Sequence, residues 1–532
     1  MQFPSDFFQI KGQKFRFDFP KYGESNELGF FFKEGGFYFG LSDYIDLAIT
    51  GDIYTLGSWA GSIATNYALK YKYSGNFDFS YSRIRVSEPE LPDYSLNKSF
   101  FVNWTHRQDG KARPNSSFSA SVRAGSSNFY QVNISTPTNF LQNTFNSSIN
   151  YSVFSSRRPL SLALGANHSQ NTITKKVDIA LPTIALTLGA TYPFKRNDAI
   201  DRERWYEKIN FSYTSAAINS IDTYDSLLFK KETLQQMRNG VQHSIPIVTT
   251  IKFLKYFNLN PSFNYTQYWY FKSLEKSWNK DSAVVDEKAI AGFNIAHSYQ
   301  AGAALSTRIY GTLMHRKGWF AGIRHIMTPS VAYTFRPDFG EYKYGIYRYV
   351  QIDSIGNTQL YSKYQNGPYG SPQAGKYGFV SMGLDNNFEM KTRYYTDSSG
   401  MEYKKFRILE NLGINTGYNM ALDSMQWSPL SITARTTIKQ MVNLYANANY
   451  DFYGADSLGR RIKYFHSQVT KQWLRFTNSS MGLSFTLNNQ SFKSEEKRKA
   501  QEKNKPVGIV PIIWSVTTNY NLDIVVVAKR KN

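Results

Sequence analysis

Cysteine is absent from all 532 residues. That excludes a disulfide framework and any thiolate metal centre, and it leaves the compartment open. No apolar run approaches the ~18 residues of a membrane-spanning helix, and mean hydropathy is −0.46. Inside a bilayer, backbone groups are satisfied only in helices or closed barrels. A membrane-spanning reading of this chain is therefore a β-barrel reading. A polar average suits it, because alternate side chains alone meet lipid. HExxH, GxSxG, GxGxxG and P-loop patterns are missing too. The seven histidines (His106, His168, His243, His297, His315, His325 and His466) have no metal-ligand spacing, and Asp43, Asp46 and Asp52 lack that of a calcium loop. No catalytic residue, metal or cofactor is expected, so the chain reads as a non-enzyme. There is no repeat of fixed period, which argues against a repetitive adhesin. The start, Met1-Gln2-Phe3-Pro4, has no basic leader and apolar core.

What is present is alternation. Trp59, Ile63, Tyr67, Leu69, Tyr71 and Tyr73 share one face, opposite Ser62, Asn66, Lys70 and Lys72. Phe77, Phe79 and Tyr81 interleave with Asn76, Asp78 and Ser80. Phe145, Ile149, Tyr151 and Val153 do so with Ser148, Asn150 and Ser152, and Trp514, Val516, Tyr520 and Leu522 with Thr517, Asn519 and Asn521. Each segment is near the 9–11 residues of a tilted membrane strand, and roughly twenty occur, within the range of single-chain barrels. The second face is Ser, Thr and Asn, as a wet lumen requires. A soluble sandwich or solenoid would need that face dry. The predicted fold is all-β: a large antiparallel transmembrane outer-membrane β-barrel of about twenty or more strands. Tyr73-Ser74-Gly75-Asn76 reads as a short turn. Long polar loops are expected near 194–205, 219–239, 272–290, 336–376 and 491–506, with a short amphipathic helix in 224–238.

Specific motifs add a family. LGFFFKEGGFYFGLSDYIDLAITGDIYTLGSW (28–59), preceded by FPKYGE (19–24), resembles the first strands of the LptD lipopolysaccharide-assembly family in its Bacteroidetes form. DYSLNKSFFVNWTHRQDGKARPNSSFSASVRAGSS (93–127) is similar to a family stretch containing Trp104, His106, Lys111, Arg113, Pro114 and Asn115. RHIMTPSVAYTFRPDF (324–339), with His325 and Pro329, matches another; NGVQHSIPI, LKYFNLNPSFNY and LSITARTT extend the match in family order. The roles of these motif residues are left open.

The resemblance implies an outer-membrane protein that transports lipopolysaccharide and inserts it into the outer leaflet through a lumen and a lateral gate. The partners it implies are lipopolysaccharide, an LptE-like lipoprotein plug, a periplasmic bridge protein and outer-membrane lipids. The alternative is a porin or TonB-dependent type of transporter for another solute. Residues 1–27 are expected to be the tail of a periplasmic jelly-roll, and 28–532 the barrel. Most of the jelly-roll and the closing strands are expected to be missing, since Val525–Asn532 alternates poorly and ends basic. Prolines that weaken the first strands in enterobacterial members are absent from 28–54. Gly29, Phe31, Gly35, Gly36 and Tyr38 are therefore the gate candidates, with a glycine bulge or turn as the competing reading. The net charge of +22 has two readings: a basic lumen or rim that attracts lipid phosphates, or ordinary loop charge. It is dispersed and carries no nucleic-acid motif, so no nucleic acid is expected.

Overall fold

The computed structural model describes residues 15–525 apart from 88–89, 93, 134–142, 197–202, 229, 397–399, 439–440 and 489–514. The chain folds as a large antiparallel β-barrel. Its wall is one 24-stranded sheet whose strands neighbour one another in chain order, and two separate two-stranded hairpins lie outside it. No helix is long and apolar enough to cross a membrane.

The period-2 pattern becomes two chemically distinct faces. Opposite one another lie Ile49 and Ile63, Ile53 and Trp59, Ile63 and Phe79, and Phe77 and Trp104. Ile49, Ile53, Trp59 and Ile63 are exposed, an arrangement that is costly in water and favourable against lipid. The other face is polar and cross-linked. Thr50 and Ser62 hydroxyls lie 2.6 Å apart, and Asn76 and Asn103 donate to Asp78 at 2.9 and 2.8 Å. Glycines occur in the wall where an aromatic ring from the opposing residue covers them: Tyr67 over Gly75 on the outer face, and Phe31 over Gly23 and Tyr445 over Gly482 on the polar one. The ring replaces the packing that glycine lacks.

This explains one difference from the sequence reading. Gly75 is inside the strand Tyr73–Val86, and the turn lies earlier, at 70–72, with Tyr71 at φ +63°. A second difference is larger. The loop expected at 272–290 is the far end of a hairpin, Phe257–Asn279 with Val284–Thr307, paired up to Asn279 opposite Val284. The neighbouring ladders stop at Gly240–Tyr270 and Ala301–Phe335. The tip thus projects beyond them; it is covered on one side at the buried Leu274, and most of its other side chains are polar. Backbone pairing there needs no apolar side chains, so the alternation that signals a strand is lost. The 219–239 loop narrows to 225–237, since strands Asn210–Tyr224 and Arg238–Val248 run further than expected; it contains a short helix, Lys231–Gln235. The 491–506 segment and the tail beyond 525 lie outside the described residues.

The sheet begins with a broken strand. Phe15–Asp18 and Lys21–Ser25 pair with the two halves of Gly29–Ser42, and Phe19-Pro20 separates them. Proline has no N–H to donate, so it is confined to edges and breaks of this kind. At the other end Ser515–Val525 pairs with Arg475–Asn488. Among the described residues no ladder joins the first strand to the last. The Gly29–Ser42 strand bulges at Lys33-Glu34: Phe32 pairs with Ile53, and Gly35 with Gly51. Glu34 sits at φ +61°, and its amide donates to the Asp52 carboxylate at 2.8 Å. Just beyond, a Cβ on Gly36 would run into the Ile49 carbonyl. Gly36→Ala is expected to push the first two full strands apart at a cost of about 1–3 kcal/mol. The check is urea unfolding followed by heat-shifted electrophoretic mobility; an unchanged midpoint would mean that the approach is not needed.

Candidate functional site

The candidate site is the polar inner face, the free first strand and the segments folded onto the wall. Every gate residue expected from the sequence lies on Gly29–Ser42, the strand inside the edge. Gly29 opens it at φ +77°. Phe31 covers Gly23 and carries the Lys33 ammonium 4.5 Å above its ring. Gly35 lies under Pro20, where a Cβ would come within 2.9 Å of the proline. Tyr38 lies under the Arg16 guanidinium, 5.3 Å from its ring centre, and Arg16 pairs with Asp18 at 2.7 Å. The edge itself is Phe15–Ser25, within the 1–27 stretch expected to be the tail of a jelly-roll. Its outer face is a ladder of rings, Phe15 and Phe17 against Phe37 and Phe39 and Phe19 against Phe17, at centroid distances of 5.1–5.7 Å. Phe19 is 84% exposed.

The long loop expected at 336–376 is the connection 337–376, but sequence reasoning missed that it folds back onto the wall. It contains the hairpin Tyr347–Gln351/Thr358–Ser362 and docks on the wall through Phe339, Ile346 and Tyr364, all buried with Tyr270 and Ala296. Tyr364 stacks on Tyr270 at 4.1 Å, and the Tyr270 hydroxyl donates to the Gly370 carbonyl at 2.6 Å. The Leu274 amide donates to the Lys363 carbonyl at 2.7 Å, and the Tyr369 hydroxyl to the Ala216 carbonyl at 2.7 Å. The register puts Tyr268 and Tyr270 on the side of Thr266 and Ser298, the polar face. The segment therefore lies across the inner wall from Asn210–Tyr224 to Val284–Thr307. A second segment, 126–133, does likewise: Phe129 and Tyr130 pack on Phe101, and Asn133 donates to the Ser82 and Ser99 hydroxyls at 2.9 and 3.1 Å. The one sequence signal was the density of aromatics in an otherwise polar stretch (RPDFGEYKYGIYRYV).

The motif residues fall into two places. Trp104 Nε1 donates to the Tyr67 hydroxyl at 2.9 Å, which lies 2.9 Å from His106 Nδ1. Tyr73 and Phe118 complete the cluster around the imidazole, 5.6 and 5.2 Å from it. Lys111, Arg113, Pro114 and Asn115 form the following turn, where Asp109 accepts the Lys111 amide at 2.8 Å and the Asn115 carbonyl accepts the Phe154 amide at 2.9 Å. Elsewhere, His325 stacks on Phe388 at 4.3 Å and contacts Asn386 Oδ1 at 2.9 Å through Nε2. Pro329 faces the gap between Val284–Thr307 and Ile309–Met314. The register is the same on either side of that gap, so the missing proline N–H accounts for it. Among the described residues no group of three or more His, Asp or Glu is placed to hold a metal ion.

A model of the LptD protein family matches residues 1–453. The chain belongs to the LptD protein family. Membership places it in the outer membrane with a role in lipopolysaccharide transport; the family is one of transport and assembly proteins. No curated protein matches the chain. Among solved structures it is similar to the closed form of the ferric-catecholate import receptor Fiu from E. coli K12, at 9% identity and TM-score 0.21, covering 86% of this chain and 73% of that one. It is also similar to the RagAB peptide transporter, at 10% identity and TM-score 0.19, covering 86% of this chain but 60% of that one.

Two features of this LptD chain are testable at once. Tyr270→Ala removes the stacking platform of the 337–376 segment. By analogy with buried aromatic truncations it should weaken docking by roughly 3–5 kcal/mol, read as new protease cleavage within the segment while the barrel stays folded. The connection at 203–208 is pinned by Glu207, which accepts from Arg196 Nε at 2.6 Å and from the Arg204 amide at 2.5 Å. The Arg196 contact, with the Arg204 amide next, holds its carboxyl down at about 2. A depressed acid stabilises the folded loop fully above its unfolded value near 4.5 and loses that as pH falls through about 2. Glu207→Gln should therefore speed amide exchange at 203–209 at pH 7, with the difference from wild type vanishing near pH 2.

Proposed function

We propose that lipopolysaccharide crosses the outer membrane within this barrel, its sugars against the polar inner face and its acyl chains leaving beside the first strand. The observation that carries the reading is that edge: Phe15–Ser25, split by Phe19-Pro20, pairs on one side alone among the described residues. A strand interrupted by proline holds its neighbour with fewer hydrogen bonds than a continuous one. Its exposed phenylalanines offer acyl chains an apolar path at that point, while Arg16 and Tyr38 on the inner side suit phosphate and sugar. Residues 1–27 would then join a periplasmic domain to the barrel, and a bridge protein would deliver the lipid there. The 337–376 segment narrows the lumen, which leaves an LptE-like lipoprotein to fill the rest.

Orientation follows from connection length. The connections at 43–44, 70–72, 109–115 and 155–159 are short and share one end with the longer 192–209, while 126–143, 225–237, 337–376 and 452–474 share the other with the short 172–175. Barrels of this class keep short turns in the periplasm. Depletion of the full-length protein in its host should remove lipopolysaccharide from the cell surface and accumulate it further inside. Normal surface lipopolysaccharide with a defect in uptake of one solute would favour the porin or TonB-dependent alternative.

A further inference from the structure

The motif at 104–115 has no part in the edge or the in-folded segments, yet it is built with care. Trp104, His106, Tyr67, Tyr73 and Phe118 form one ring cluster on the outer face, close to the short turns. Above it three consecutive short turns meet. The Asp109 amide donates to the Lys72 carbonyl at 2.8 Å, and the Phe154 amide to the Asn115 carbonyl at 2.9 Å, so the turns at 70–72, 109–115 and 155–159 form one rim. Lys70, Lys72, Lys111, Arg113, Arg157 and Arg158 all project there, exposed. The Lys111 and Lys70 ammoniums sit over Tyr71, 4.9 and 5.2 Å from its ring centre. Asp109, the carboxylate in this turn, is engaged with the Lys111 backbone. None of the six cations is in an ion pair among the described residues.

We infer that this rim binds the phosphate of an anionic glycerophospholipid in the leaflet at the short-turn end. Two chemistries lie side by side, as such a lipid presents them. The cationic arc meets the phosphate, and the ring cluster beneath meets the glycerol and upper acyl region, where amphipathic aromatics settle. Cations left without carboxylate partners at a membrane surface gain from an anionic headgroup, and the gain weakens with salt. Held there, the lipid would fix the depth of the early strands beside the free first strand. The inference rests on the orientation proposed above.

The test uses the purified barrel in nanodiscs with trace spin-labelled phosphatidylglycerol or phosphatidylethanolamine. Motional restriction should favour phosphatidylglycerol by about fivefold or more at low salt. The preference should vanish in Lys111→Gln/Arg113→Gln/Arg157→Gln/Arg158→Gln and survive in Lys111→Arg/Arg113→Lys, which keeps the charge. Heat-shifted electrophoretic mobility verifies that both variants are folded. Equal restriction of the two lipids by the native barrel, or a preference the neutral variant retains, overturns the site. Competition by millimolar inorganic phosphate would make it a site for free phosphate and overturn the lipid assignment. A separate arm tests the orientation: the cysteine-free chain allows Lys111→Cys to be probed in cells with an impermeant maleimide. Labelling before the outer membrane is permeabilised would sink the orientation while leaving the lipid preference to be judged on the nanodisc result.

Discussion

Within a bilayer an unpaired peptide N–H or C=O has no water to turn to, and leaving it unpaired is costly. Most of this structure follows from that constraint. It makes the chain a meander in which each strand between the first and the last is flanked by strands near it in the chain. It makes every proline a local decision. Pro329 coincides with a gap in one ladder, and Pro20 splits the strand at the sheet's edge. It allows glycine to persist in the wall where a neighbouring ring takes over its packing, as Tyr67 does for Gly75 and Tyr445 for Gly482.

The same constraint explains why the first strand draws attention. Pairing is what keeps a membrane sheet stable, so a strand that is broken and, among the described residues, paired on one side is where the wall is weakest. The bulge at Lys33-Glu34, the close approach at Gly36 and the contact of Pro20 with Gly35 all lie within a few residues of it. The 337–376 segment contributes the opposite property. Its backbone is tied to the wall by stacked tyrosines and carbonyl acceptors, and it gives the inner face a buried apolar patch in an otherwise polar lining.

Function here comes from which face a residue occupies. Tyr270 and Phe271 are adjacent in sequence; one is buried under the in-folded segment, the other exposed on the opposite side. His106 and Lys111 belong to one motif, yet the first sits in a ring cluster on the wall and the second on the rim above it. A motif that spans a strand end and its turn thus places apolar and cationic groups a short distance apart, at the level where membrane and water meet.

The sequence by itself determined the fold class. Alternation such as Phe77-Asp78-Phe79-Ser80 is a local property, set by the pleat, and needs no knowledge of partners. The motif runs likewise determined the family. Where alternation fails, so did the reading. The 272–290 stretch is strand with few apolar side chains, because it projects past its neighbours, and the alternation of Phe15–Phe19 is cut at Pro20 before it reaches the length of a membrane strand. Only the tertiary structure decided that Phe15–Ser25 is the edge, that Tyr67 covers Gly75, and that residues 337–376 turn back onto the inner wall. Each depends on which strands lie side by side and how far each extends, and these are long-range pairings that no single segment encodes.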